Sequence, residues 1–154
     1  MAPTIFIVPG LPRGPGTYAP IRQVLESHSI KMFASRLQST GTKPPGNPTM
    51  RDDIAHIRAD LERVVDEAGP DGVVALFHSA GGFVGSSALL EGLVAPERSA
   101  AGKVGGVRKI VFLAAGLAPE GVDTFGGPFI VQQEGPRSIS IAVLRHVADS
   151  TTHI

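Results

Sequence analysis

The residue with the clearest chemical potential is Ser79, which follows a run of apolar residues and precedes two glycines: residues 73–82 read VVALFHSAGG. A strand that turns sharply into a helix at a serine lifts the hydroxyl above the carboxyl edge of a sheet, where it can attack a carbonyl carbon. The helix N-terminus supplies N–H groups and a partial positive charge for the resulting oxyanion. The pattern therefore predicts a nucleophilic serine at this turn. The other interpretation is that Ser79 only caps the following helix.

A nucleophilic serine needs a general base and an acid that orients it, and the candidates in the right order lie near the C-terminus. Asp123 comes shortly after the last predicted strand, and His146 and His153 follow it. The competing interpretation treats all three as solvated surface groups, as polar residues in loops and termini usually are. His78 adjoins Ser79, but strand alternation directs it to the opposite side. No histidines or carboxylates have metal-ligand spacing, and we expect neither a metal nor a cofactor.

Alternating strands and helices must position these groups. Apolar runs bounded by Gly and Pro predict strands, and apolar residues three and four positions apart predict helices. The predicted strands are Thr4–Val8, 30–34, 72–77 and 109–115. The predicted helices are Met50–Ala68, 81–93 and an earlier one that Thr17 could cap, with Pro20 in its first turn and an apolar face through His28. This order predicts an α/β fold with a mostly parallel sheet and helices on both faces.

The serine motif and the predicted order of strands and helices resemble the α/β-hydrolase superfamily. The resemblance is to its branch of small esterases, methylesterases and hydroxynitrile lyases. The branch commonly carries His-Ser-x-Gly-Gly, as at residues 78–82, although Phe77 stands where the superfamily usually has glycine. The Pro-Gly-Leu sequence at residues 9–11 and the segments 96–106 and 113–121 extend the similarity over about residues 3 to 122. The resemblance implies a serine carboxylester hydrolase with Ser79 as nucleophile and the backbone N–H groups of Leu11 and Ala80 as the oxyanion hole.

The resemblance also predicts a division of the chain. Residues 1–122 match the N-terminal part of an α/β-hydrolase domain, and residues 123–154 form a divergent, weakly structured tail. The family places its acid and histidine after later strands, and the tail is too short for those strand–helix units. We therefore expect a partial α/β-hydrolase fold, truncated, with low or no activity. The alternatives are a non-catalytic pseudoenzyme, a small-molecule binding module, and a hydroxynitrile lyase-like activity on the same scaffold.

Composition limits the partners. The chain has 14 basic and 14 acidic side chains, so its zero net charge predicts no nucleic-acid or membrane partner. The expected partner is a small-molecule ester. The absence of cysteine excludes disulfides and a cysteine nucleophile, and the first apolar run is too short for a signal peptide, so we expect a cytoplasmic protein. A sheet cut short would leave an unpaired edge, which predicts self-association.

Overall fold

The fold is built on a sheet of parallel strands. The computed structural model describes residues 2–42, 46–89 and 91–117. These residues form four strands in the spatial order β2-β1-β3-β4: β1 (Thr4–Val8), β2 (Met32–Ala34), β3 (Val73–His78) and β4 (Val107–Leu113). All neighbouring strands are parallel, which confirms the predicted α/β class. The chain divides into Met1–Gly116, which holds every element named here, and residues 117–154, of which the structure describes Leu117 alone.

Helices connect the strands, as parallel pairing requires. They are α1 (Ala19–Ser27), preceded by a 3₁₀ turn at Pro15–Tyr18; α2 (Met50–Ala68), followed by a 3₁₀ turn at Gly69–Asp71; α3 (Gly81–Ala88); and α4 (Ala95–Ala100). α1 joins β1 to β2, α2 joins β2 to β3, and α3 and α4 lie between β3 and β4. Among the helices that the structure describes, none is long and apolar enough to cross a membrane.

The sequence predicts α2 best, and its predicted bounds are confirmed. Thr49 caps its N-terminus: the Thr49 side chain accepts a hydrogen bond from the Asp52 N–H, and the Asp52 carboxylate accepts one from the Thr49 N–H. This reciprocal pair satisfies N–H groups that the first turn would otherwise leave without acceptors. Ile57 and Leu61, one turn apart, are fully buried. The helix ends at Gly69, which has a φ of 54°.

The two faces of the sheet have separate apolar cores. Side chains two residues apart along a strand share a face. On one face, Phe6 of β1 and Phe77 of β3 pack with Ile57 of α2, and all three are fully buried. On the other face, Ile7 of β1 packs near Leu25 of α1. The helices therefore cover both faces of the sheet, as expected for parallel strands.

The chain after Ser79 differs from the sequence-based expectation. The predicted helix over residues 81–93 was too long, because α3 ends at Ala88 and a separate helix, α4, follows. Glu91 and Gly92 both have positive φ, at 54° and 80°, a conformation that no right-handed helix can include. The strand β4 also begins earlier than predicted, because Val107 pairs with Val73.

Within the described residues, β4 is an outer strand whose one neighbouring strand is β3, and an isolated parallel bridge also joins its Val107 to Val94. Its Val111 and Leu113 side chains are 38% and 49% exposed. An outer strand with exposed apolar side chains can recruit another chain. Self-association through a sheet edge stays a prediction.

Candidate active site

Ser79 lies at the sharp turn between β3 and α3. Its φ is 54°, in the left-handed region that side chains other than glycine rarely adopt. Such a conformation costs on the order of 1–3 kcal/mol and persists only where the surroundings impose it. Here the Ser79 N–H donates to the Leu113 carbonyl at 3.2 Å, and the Ser79 carbonyl accepts from Gly82 at 3.1 Å and from Gly116 at 3.0 Å. Three hydrogen bonds, one with the start of α3 and two with the end of β4 and the residues after it, thus hold the turn.

Small residues let the end of β1 approach this turn. A methyl group placed on Gly10 would lie 2.6 Å from the Ser79 Cβ and 3.1 Å from its Oγ, inside van der Waals contact. A methyl group on Gly81 would lie 2.5 Å from the Pro9 carbonyl oxygen. Glycine is therefore required at both positions. The Ser79 side chain lies against the Gly10 backbone, at the carboxyl ends of β1 and β3.

The resemblance assigns the oxyanion hole to two backbone N–H groups, those of Leu11 and Ala80. Leu11 follows Gly10 in the sequence, and Ala80 follows Ser79. Leu11 has a side chain that is 52% exposed, and Ala80 is the N-cap residue of α3. The Arg13 N–H donates to the Gly10 carbonyl at 2.8 Å, which closes the turn containing Leu11. Within the described part of the chain, neither the Leu11 nor the Ala80 N–H donates a hydrogen bond to the protein. The use of these two N–H groups as an oxyanion hole stays a prediction.

His78 contacts Tyr18 on the face of the sheet opposite to the one that packs Phe77 against α2. The Tyr18 hydroxyl and the His78 Nδ1 are 2.9 Å apart, and the two rings meet edge to face. Burial raises the pKa of the Tyr18 phenol, against the opposing effects of the Gly10 backbone N–H and the Arg13 charge. The sequence analysis overlooked Tyr18. No local signal pointed to it, because its partner His78 lies 60 residues away in the sequence.

The structure does not test the acid and base candidates. Asp123, His146 and His153 all lie outside the described residues. Two other histidines lie at or on helices: His28 directly follows α1 as its C-cap residue, and His56 on α2 is 3.5 Å from the Asp60 carboxylate. No hydrogen bond joins a histidine to the Ser79 side chain within the described residues. In the same residues, no three histidines, aspartates or glutamates are grouped so that they could hold a metal ion.

A cleft of about 430 Å³ lies at the opposite end of the sheet from Ser79. It is lined by residues at the start of β1 and β2 and at the end of α2, including Thr4, Lys31, Met32 and Ala68. Ligands of parallel α/β sheets bind at the carboxyl ends of the strands, whereas this cleft lies at the amino ends. The geometry around Ser79 therefore gives the better basis for a functional assignment than the size of this cleft.

No known protein family, curated protein or solved structure matches this chain. The geometry of the chain's own residues, together with the sequence resemblance, therefore carries the functional argument.

Proposed function

We propose that this chain is a serine carboxylester hydrolase of the α/β-hydrolase type, with Ser79 as its nucleophile. The observation that carries the proposal is the positive φ of Ser79 between a parallel strand and a helix, with its side chain against the end of the neighbouring strand. A helix cap needs no left-handed backbone, because capping residues ordinarily have extended φ and ψ. A strained serine at this turn is instead the geometry that exposes a nucleophile.

The proposed reaction has two stages. The Ser79 hydroxyl attacks the ester carbonyl carbon while a histidine accepts its proton, and the Leu11 and Ala80 N–H groups bind the oxyanion. Collapse of the tetrahedral intermediate expels the alcohol, which takes the proton from the histidine. Water then attacks the acyl-enzyme in the same way and releases the acid. His146 or His153 is the proposed base, and Asp123 the group that orients it.

A non-catalytic binding module is the second candidate. One observation favours it: among the described residues, the nearest histidine in sequence, His78, is engaged with Tyr18 rather than with the Ser79 hydroxyl. A serine without its base loses several orders of magnitude in rate while the rest of the site still binds ligand. The two candidates differ in whether Ser79 is activated.

Labelling with a fluorophosphonate probe tests that activation. If the hydrolase proposal holds, the wild-type chain takes up one probe molecule and Ser79→Ala takes up none. Ser86→Ala is the matched control, because Ser86 lies on α3 and its buried hydroxyl has no hydrogen-bond partner among the described residues. His146→Ala, His153→Ala and Asp123→Asn then identify the groups that set the labelling rate. A folded wild-type chain that takes up no probe contradicts the hydrolase and supports the binding module.

A further inference from the structure

The turn after β1 brings the Arg13 backbone within one turn of Gly10, the residue that contacts Ser79. The hydrogen bond from the Arg13 N–H to the Gly10 carbonyl closes a turn over residues 10–13, which keeps the first and fourth Cα atoms within about 7 Å of each other. Gly10 is the residue whose backbone contacts the Ser79 side chain. An arginine side chain is long enough to bring its guanidinium group near a substrate held at Ser79.

The Arg13 charge acts on this neighbourhood. It is one of the groups that influence the Tyr18 phenol, whose oxygen is 2.9 Å from the ring of His78, the residue before Ser79. Arg13 is exposed, and in the described ranges it forms no ion pair with a carboxylate. Its charge is therefore not neutralised by that part of the chain.

Two further arginines and two aspartates lie near the carboxyl ends of the strands. Arg36 follows β2 by two residues and is exposed, and Arg51 is exposed on the first turn of α2. The two acidic residues of that turn, Asp52 and Asp53, already accept hydrogen bonds from hydroxyl and backbone N–H groups. Hydrogen bonds from neutral donors leave these two carboxylates negative, so the inference depends on Arg13; in the described ranges neither Arg36 nor Arg51 forms an ion pair.

We propose that Arg13 binds a carboxylate of the substrate, so that Ser79 acts preferentially on esters that carry a negative charge a few atoms from the scissile carbonyl. The inference rests on the proposed ester hydrolysis and adds its substrate class. Guanidinium is suited to this role because its N–H groups pair with both oxygens of a carboxylate. Arg13 is a specificity-determining residue in this scheme, and Ser79 remains the nucleophile.

Two esters of similar length and equal leaving group test the proposal: 4-nitrophenyl hemisuccinate, which is anionic, and 4-nitrophenyl butyrate, which is neutral. We expect the wild-type chain to favour the anionic ester in kcat/KM by about fivefold, the size of an exposed charge pair. Arg13→Gln removes the preference, and added salt weakens it in the wild type. Lys31→Gln, which removes an exposed charge before β2 at the other end of the sheet, keeps it.

Binding to Ser79→Ala separates a failure of this inference from a failure of the hydrolase proposal. Calorimetric titration measures the affinity of both esters without turnover, in Ser79→Ala and in the Ser79→Ala, Arg13→Gln double variant. A preference for hemisuccinate that disappears in the double variant supports anion binding at Arg13, even if the wild-type chain hydrolyses nothing. If the wild-type chain and Arg13→Gln both hydrolyse the esters with the same ratio of kcat/KM between hemisuccinate and butyrate, the inference is overturned and the hydrolase proposal stands.

Discussion

At the scale of single residues, the site depends on one strained serine and on the absence of side chains around it. The sequence identified Ser79 from the small residues that follow it and from the apolar run before it. It could not predict which residue lies against the hydroxyl, because Gly10 is 69 positions away along the chain. The Gly10 backbone is now seen to occupy that position.

Gly10→Ala is expected to disturb both the fold and the reactivity of Ser79. The added methyl group would lie 2.6 Å from the Ser79 Cβ, so the strand end and the turn must move apart. Overpacking of this kind costs about 1–3 kcal/mol of unfolding free energy, measurable by urea denaturation. We also expect fluorophosphonate labelling to slow by at least about tenfold, since small displacements at a nucleophile have large rate effects.

Gly14→Ala is the matched control for that substitution. Gly14 lies in the same loop, has an ordinary φ of −88°, and a methyl group added to it meets nothing within 4 Å. We expect the stability and labelling of this variant to match those of the wild type. Equal behaviour of the Gly10 and Gly14 variants would contradict the close approach of β1 to Ser79.

At the scale of the element, local sequence decided some boundaries and not others. The strand β1 and the helix α2 have the bounds that periodicity, Thr49 and the Gly-Pro stop predict, because these signals act within a few residues. The helix α3 ends early at a turn through Glu91 and Gly92. The small apolar residues before that turn fit a longer helix equally well, so periodicity alone could not locate the end.

Thr49→Ala is expected to lower the free energy of unfolding by about 1 kcal/mol, because it removes the side-chain acceptor at the start of α2. Thermal or urea denaturation measures the loss. Thr17→Ala is the control, since Thr17 is exposed and provides no side-chain cap to α1. If the two variants are equally stable, the capping box contributes nothing.

At the scale of the whole molecule, packing on the second face of the sheet buries Tyr18 against His78, 60 residues away. Neither residue signals this contact, because a tyrosine in a loop is as often exposed as buried. The contact joins the loop after β1 to the end of β3, directly before Ser79. It connects the two segments that form the candidate site.

Tyr18 is expected to make stability depend on pH above its ordinary pKa of about 10. Burial raises the pKa of the folded phenol, so the unfolded chain loses this proton first. The stability is therefore fully present below pH 10 and is lost as the pH rises through the folded pKa. Because the chain has one tyrosine and no tryptophan, absorbance near 295 nm reports this titration directly. Tyr18→Phe should remove the loss of stability above pH 10. A phenol in the folded chain that titrates at its ordinary pKa would contradict the prediction.

The sequence by itself determined the alternation of strands and helices, the cap of α2, and the location of Ser79 between a strand and a helix. These features depend on hydrophobic periodicity and on interactions between near neighbours. Only the tertiary structure decided the positive φ of Ser79, its contact with Gly10, and the turn that joins Arg13 to Gly10. Those features require strands from distant parts of the chain to meet in one register, and register is set by packing rather than by local sequence.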